Sequence, residues 1–378
     1  MFFARIMTLP LDEIRFRASS FVELKQLAEL EAAQREPFAE LESDPDFYGI
    51  FVPRPPLTMN LKAVERQTAE LFLSLATPAR LDLDDADYAG DVIDLVLDGF
   101  LEIESEDDFV CGADAFPILC TPVVPLETRD AAARLSRDAL LHAQDLESSD
   151  AQELTLALYL YNRIPLTPFW KSRFPNRDAI LSHLGATRLA GHWTASKHDH
   201  WLSWSSRMTS RDDSAVTYKL YVSPRPERIR DAFDAVLRVL SEVPETAFKI
   251  GDSAAGLLRP DKLVLYFTTR EQLDEVADAL RRELSGCDAQ GVPFTAALDD
   301  SGLLSWGIDP PESDRPLRWL DSESWRFWIA QRLGAALSVA MLARNTAIEP
   351  WRFAIERVRR AGVDVETWTL SPQLWSRA

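Results

Sequence analysis

Cysteine is scarce in this chain: Cys111, Cys120 and Cys287 are the only three in 378 residues. That is too few and too scattered for a disulfide framework or a cysteine-ligated zinc site, and it points to a soluble protein in a reducing, cytoplasmic setting. Long apolar runs are missing as well; none reaches the roughly 18–20 residues that span a bilayer. The opening MFFARIMTLPLDEIRF is broken by Arg5 and soon turns acidic, which makes a poor signal peptide. No G-x-G-x-x-G sits between a strand and a helix, and there is no P-loop, G-x-S-x-G or H-E-x-x-H. The usual motif-borne routes to dinucleotide, nucleotide, serine-hydrolase and zinc-protease chemistry are therefore absent. Histidine is sparse too, with five residues. The densest cluster, HWTASKHDHW, holds His192, His198 and His200. Two of these at i, i+2 could share a strand face and bind a metal. Carboxylates nearby are few, and the segment reads as a polar turn with no metal.

Hydrophobic residues make up 46% of the chain and charged residues 27%, enough for a sizeable core and too ordered a composition for global disorder. The charge is unevenly spread. Residues 1–150 hold 31 Asp and Glu against 12 Lys and Arg, a net of −19, whereas residues 151–378 hold 29 of each. All eleven tryptophans lie between Trp170 and Trp375. Two asymmetries at one place predict an acidic unit over 1–125 and a second unit over 126–378. An acidic surface repels phosphates, which argues against nucleic acid as a partner.

Residues 11–45 carry apolar residues at helical spacing until Pro53, Pro55 and Pro56 intervene, and 61–76 (LKAVERQTAELFLSLA) predicts an amphipathic helix. YAGDVIDLVLDGFLEIES predicts a helix stopped by Gly99 and then a strand, with EDDFVCG as the return strand of a hairpin. Helices followed by a β-wing suggest a winged-helix-like docking module or an irregular helical subdomain. Residues 127–160 are expected to be helical. Beyond the proline-punctuated, basic and aromatic NRIPLTPFWKSRFPNR the pattern becomes α+β. VTYKLYVS, TAFKIG, DKLVLYF, GVPFTAAL and GLLSWGI predict strands, and PERIRDAFDAVLRVLSEV and TTREQLDEVADALRRELSG predict helices. The second of these has Thr269 and Gln272 in capping-box spacing and Gly286 as its stop. Residues 322–344 and 349–362 are helical again. The expected fold class is α+β: a helical N-terminal unit followed by a domain with a central, mostly antiparallel sheet.

Lysine placement is the positive signal. Only seven of the 41 basic residues are lysine, and three of them, Lys219, Lys249 and Lys262, fall within the predicted strands. Arginine stays protonated, whereas a lysine crowded by cations or stripped of water can act as a base. A surface lysine on an edge strand is the plainer alternative. Strand alternation puts Lys219, Tyr221 and Ser223 on one face, and Lys262, Val264 and Tyr266 on one face. With Lys249 in AFKIG and Arg259 in GLLRPDK, such a surface would hold a phosphate or another dianion.

YKLYVSP, then AFKIGD about thirty residues later, then an arginine and a strand ending in LYF resemble the phosphothreonine-lyase superfamily. The wording FKIGDSAAGLLRPDKLVLYF, QGVPFTA and GLLSWGIDPP is similar to the HopA-type effector family and its standalone relatives in class V lanthipeptide and thioamitide biosynthesis. The likeness spans residues 150–345 and is strongest from 217 to 310. It implies a lyase that removes phosphate from phosphoserine or phosphothreonine in a ribosomal precursor peptide, without cofactor or metal. It further implies a separate kinase and a later-acting cyclase as partners, and no nucleic acid or membrane. By the same resemblance Lys249 is the base, and Lys219 lies in the family's catalytic K-x-H strand and would grip phosphate with Arg259. Strand alternation, not the resemblance, adds Lys262 to the phosphate-binding set. Tyr266 positions substrate. Tyr221 stands where the family keeps a histidine, so the proton donor is the point of departure. Two alternatives stay open: a binding-only adaptor for phosphopeptide or leader peptide, and an effector-type lyase acting on host phosphoproteins. A winged-helix regulator is disfavoured by the −19 segment.

Overall fold

The computed structural model describes residues 13–106, 108–120, 130–189, 193–198, 200–206, 217–244, 246–309, 317–318, 324–344 and 347–370. It is an α+β fold in which the strands pair antiparallel, in one seven-stranded sheet, two four-stranded sheets and a two-stranded ribbon. The seven-stranded sheet carries the site. Its strands are β1 (Trp193–His198), β2 (Trp201–Ser206), β3 (Tyr218–Val222), β4 (Ala247–Gly251), β5 (Leu263–Phe267), β6 (Ala296–Ala297) and β7 (Leu304–Ile308). Their spatial order is β6-β7-β3-β5-β4-β2-β1.

Alternation in β3, β4 and β5 decides which face is which. Leu220, Val222, Phe248, Ile250, Leu263, Leu265 and Phe267 all point one way, into a core built with the helices Ile229–Leu240 and Arg270–Glu283. Both helices are strongly amphipathic, with Ile229, Phe233, Val236 and Leu240 on one buried stripe and Leu273, Val276, Ala277 and Leu280 on the other. The Thr269 hydroxyl caps the second by accepting from the Gln272 amide at 3.3 Å, and Gly286 ends it at φ +77°. The opposite face of the sheet is left to the lysines and tyrosines.

Several expectations need correction. Residues 11–45 are not one helical stretch: Arg15–Ala18 and Val22–Lys25 are strands, and the only α-helix among the described residues there is Ala32–Arg35. Ile14 and Phe16 are buried between Arg15 and Arg17, a period of two that outweighs the scattered helical spacing. Arg17 faces Glu102 in register and donates to it at 2.6 Å, fixing that pairing. Likewise 61–76 begins as the strand Lys62–Glu65 and becomes helical only over Arg66–Ser74. The helix Ala86–Leu97, Gly99 at φ +84° and the hairpin of Leu101–Ser105 with Asp108–Val110 follow expectation. HWTASKHDHW is no polar turn. Trp193–His198 is the first strand of the β1–β2 hairpin and Trp201 opens the second, with the turn at His200, φ +63°. His192 and the start of the 127–160 stretch lie outside the described residues. GVPFTAAL keeps strand pairing only at Ala296–Ala297.

The acidic and neutral segments share one core. Phe16, Val96 and Phe116 pack in the same cluster as Leu337, Phe353 and Trp368. Phe116 meets Phe353 edge-on at 5.8 Å between ring centres. Leu317–Arg318 pairs with Lys62–Glu65 as a strand, and Arg357 donates to Asp94 at 2.7 Å and to Asp98 at 2.9 Å. No helix among the described residues is long and apolar enough to cross a membrane.

Candidate active site

Register builds the site. Ser305, Tyr221, Val264, Lys249 and Ser203 stand opposite one another across β7, β3, β5, β4 and β2. Directly opposed residues share a face, so these five form a row on the side away from the apolar core. Lys219 and Tyr266 face each other in the next row.

Lys249 sits half-buried at the middle. Its Nζ lies 4.4 Å from the centre of the Trp201 ring and 5.5 Å from that of Tyr266. No ion pair or hydrogen bond among the described residues holds this amine. Burial, with the neighbouring cations Lys219 and Arg259, brings it down to about 8, against the opposing pull of Asp261 and Asp309. An appreciable fraction is thus neutral near physiological pH.

The chain returns to this amine through a tight crossing. After β4 it turns over the short helix Ala254–Leu257, whose cap Ser253 accepts from the Gly256 amide at 3.1 Å. Gly251 and Gly256 pass so closely that a Cβ on Gly251 would lie 2.5 Å from the Gly256 carbonyl carbon. This crossing delivers Arg259 beside Lys249. Arg259 donates from Nε and Nη2 to the two carboxylate oxygens of Asp261, both at 2.8 Å, and from Nη2 to the Tyr159 hydroxyl at 2.6 Å. Its guanidinium also lies 5.3 Å from the Trp201 ring centre. Nη1 makes no hydrogen bond among the described residues, which leaves it for an incoming anion.

Asp261 is buried. Burial pushes its carboxyl up, but the Arg326 and Arg259 guanidiniums outweigh this and hold it well below the usual carboxylate range. Arg326, 1% exposed, pairs with Asp261 at 2.8 Å and donates to the carbonyls of Pro293 and Tyr159. Lys219 is buried, and its amine pairs with Asp309, which directly follows β7 and is half-buried.

Tyr221 packs with Val264, Val292 and Tyr266 and is only 3% exposed. Burial raises its hydroxyl well above 10, despite the opposing Arg326. It remains a hydrogen-bond donor at neutral pH and a weak acid. Lys262 is placed differently from the other predicted site residues. It is fully buried, and its amine donates to the Pro224 carbonyl at 2.8 Å and the Gln290 side-chain oxygen at 2.6 Å. Gln290 in turn donates to the carbonyls of Asn162 and Leu258. The lysine ties loops together instead of lining the open cluster, and burial lowers it to about 7.

Lys219, Lys249, Arg259, Tyr221 and Tyr266 therefore come together. The sequence reading missed Asp261, Asp309, Trp201, Tyr159 and Arg326. Asp261 carried a signal, since a carboxylate two residues from Arg259 and next to Lys262 is placed to orient a cation. Tyr159 and Arg326 reach the site from helices distant in sequence, and no local pattern marks them. Among the described residues no group of three or more His, Cys, Asp or Glu side chains is disposed to hold a metal.

No family model and no curated protein matches this chain. Among solved structures, an effector protein from Pseudomonas syringae pv. tomato strain DC3000 aligns at 12% identity and a TM-score of 0.39, over 64% of this chain and 98% of that one. An effector protein from Pseudomonas syringae pv. syringae strain 61 aligns at 9% identity and 0.40, over 65% and 99%. The type III effector/phosphothreonine lyase OspF from Shigella flexneri aligns at 12% identity and 0.26, over 51% and 98%. Values this low assign no activity to the present chain.

Proposed function

We propose that the protein is a carbon–oxygen lyase that eliminates phosphate from phosphoserine or phosphothreonine in a polypeptide, leaving dehydroalanine or dehydrobutyrine. The observation that carries this is Lys249: an amine without a hydrogen-bonding or ion-pairing partner among the described residues, held near 8, with Arg259 and Lys219 beside it over one sheet face. β-Elimination needs that combination. Neutral Lys249 takes the Cα proton, and the C–H electron pair becomes the Cα–Cβ double bond. The Cβ–O bond breaks, and its electrons leave with the phosphate. The departing dianion gathers charge beside the free Nη1 edge of Arg259 and the ammonium of Lys219, which is released from Asp309 as phosphate takes its place. Tyr221, protonated, donates a hydrogen bond to phosphate or to the enolate-like oxygen. Tyr266 and Trp201 flank the reacting residue.

In this reading the substrate is a phosphorylated ribosomal precursor peptide, made by a separate kinase and passed on to a cyclase; the sequence resemblance supplies those partners. The acidic residues 1–125 would then serve in docking. A binding-only adaptor draws support from one observation, the high proton affinity of Tyr221 where the family keeps a histidine. The deciding experiment incubates the protein with a phosphothreonine peptide and follows it by mass spectrometry. The expected product is lighter by one phosphoric acid and then adds a thiol across its new double bond. A phosphatase would return the hydroxyl peptide, and an adaptor would return the phosphopeptide intact.

A further inference from the structure

Five large hydrophobic side chains are exposed among the described residues, and three of them, Leu156, Leu166 and Phe169, fall within fourteen positions. Phe169 is 62% exposed, yet it is presented rigidly. It sits on the helix Pro168–Arg173 with its ring edge-on to Trp170 at 4.9 Å, and Trp170 is buried and stacked on Phe174. The same stretch is locally basic: from residue 154 to 177 there are four cations and no carboxylate, in a chain of net charge −19. Arg163, Lys171 and Arg173 are exposed, and none forms an ion pair among the described residues. Solvated cations beside an exposed aromatic, kept clear of acids, are the mark of a contact surface more than of a stabilising one.

This surface is continuous with the site. The Ile164 amide donates to the Leu258 carbonyl at 3.0 Å, one residue before Arg259, and Tyr159 on the same segment binds Arg259 directly. Asn162 is pinned by donating to the carbonyls of Gln290 and Gly291. The route from the phosphate-binding arginine to Phe169 is therefore a fixed piece of backbone.

We infer that residues 163–173 form a docking strip for an acidic stretch of the substrate polypeptide, next to its phosphorylated residue, with an apolar side chain of that stretch resting on Phe169. The inference builds on the lyase reading but is tested separately from it. The acidic residues 1–150 repel such a peptide, whereas this strip, free of carboxylates, offers it complementary charge. The probes are fluorescein-labelled peptides carrying one phosphothreonine, flanked by Asp, Glu and Leu or by Ser and Gly, with unphosphorylated copies of each. Anisotropy at low salt should show the acidic-flanked peptides binding more tightly, phosphorylated or not. Arg163→Glu with Lys171→Glu should remove that preference, lowering affinity by about tenfold, and Phe169→Ser should weaken both acidic peptides. Where elimination occurs, the double variant raises KM and leaves kcat near its starting value. Equal affinity for acidic and neutral flanks, or an unchanged preference in the double variant, overturns the strip whether or not the lyase reaction is seen. A change in oligomeric state on Phe169→Ser, read by sedimentation velocity with no change in peptide affinity, would assign the surface to a second copy of the chain and overturn it too.

Discussion

If the lyase reading holds, the proposed base and the proposed phosphate-binding arginine should fail in different ways when replaced. Lys249→Met should abolish elimination while phosphopeptide affinity changes little, because a base acts mainly in the transition state. Lys249→Arg should be equally inactive, since a guanidinium does not give up its proton. Arg259→Ala should weaken binding and turnover together, at a cost on the order of 1.5–3 kcal/mol for a lost charge-assisted contact. Single-turnover elimination beside calorimetric affinity separates these outcomes. The reaction requires the neutral amine, so kcat/KM should rise with pH through about 8 and level off above it. A flat profile between pH 6.5 and 9 would remove Lys249 as the base. Lys262 obeys the opposite logic, because its role is structural. Its folded-state value near 7 lies below the unfolded value of about 10.4, so the unfolded chain binds more protons between them and stability from this group rises with pH over that window. Lys262→Met strands the Gln290 oxygen and the Pro224 carbonyl, costing about 1–3 kcal/mol. Denaturant titration should find that cost largest near pH 9 and smaller at pH 6, where the wild-type protein bears a buried ammonium.

Strand alternation makes the face of the candidate site readable from the sequence. Lys219 and Tyr221 in YKLYVS and Val264 and Tyr266 in KLVLYF needed only a period of two, and that period held. Pairing partners were not readable in the same way. The β1–β2 hairpin was missed because its histidines and lone aspartate look like a solvated turn, while Trp201 and Trp204 are what seat it on β4. Lys262 looked like a site residue because its alternation is correct. What withdraws it is a long-range contact, Gln290, that no local pattern encodes. The crossing after β4 sets a further test. Gly251→Ala puts a methyl against the Gly256 backbone, which cannot yield as a side-chain tip would, and should destabilise by about 1–3 kcal/mol. By shifting Arg259 against Lys249, it should also lower kcat more than affinity. An unaltered melting temperature together with full turnover would mean that the crossing tolerates the methyl and that Arg259 is placed by Asp261 and Tyr159 alone.

At the scale of the molecule, the charge boundary near residue 150 is not a boundary of packing. Phe116 on Phe353, Arg357 on Asp94 and Asp98, and Leu317–Arg318 on Lys62–Glu65 join the segments across more than two hundred residues. A chain of residues 126–378 alone would uncover the apolar sides of Leu337, Phe353 and Trp368, and it should show no cooperative melting by circular dichroism. A sharp transition from that fragment would show that the acidic segment is dispensable to the core. The same interleaving governs how the protein is made. The strand Lys62–Glu65 leaves the ribosome long before its partner Leu317–Arg318 has been synthesised. At 5–20 residues per second the wait is on the order of ten to fifty seconds. For that interval the nascent N-terminal half carries an open sheet edge and an unfilled apolar face. Its folding must therefore be largely post-translational, and the strong acidity of that half offers it like-charge repulsion against neighbouring chains during the delay.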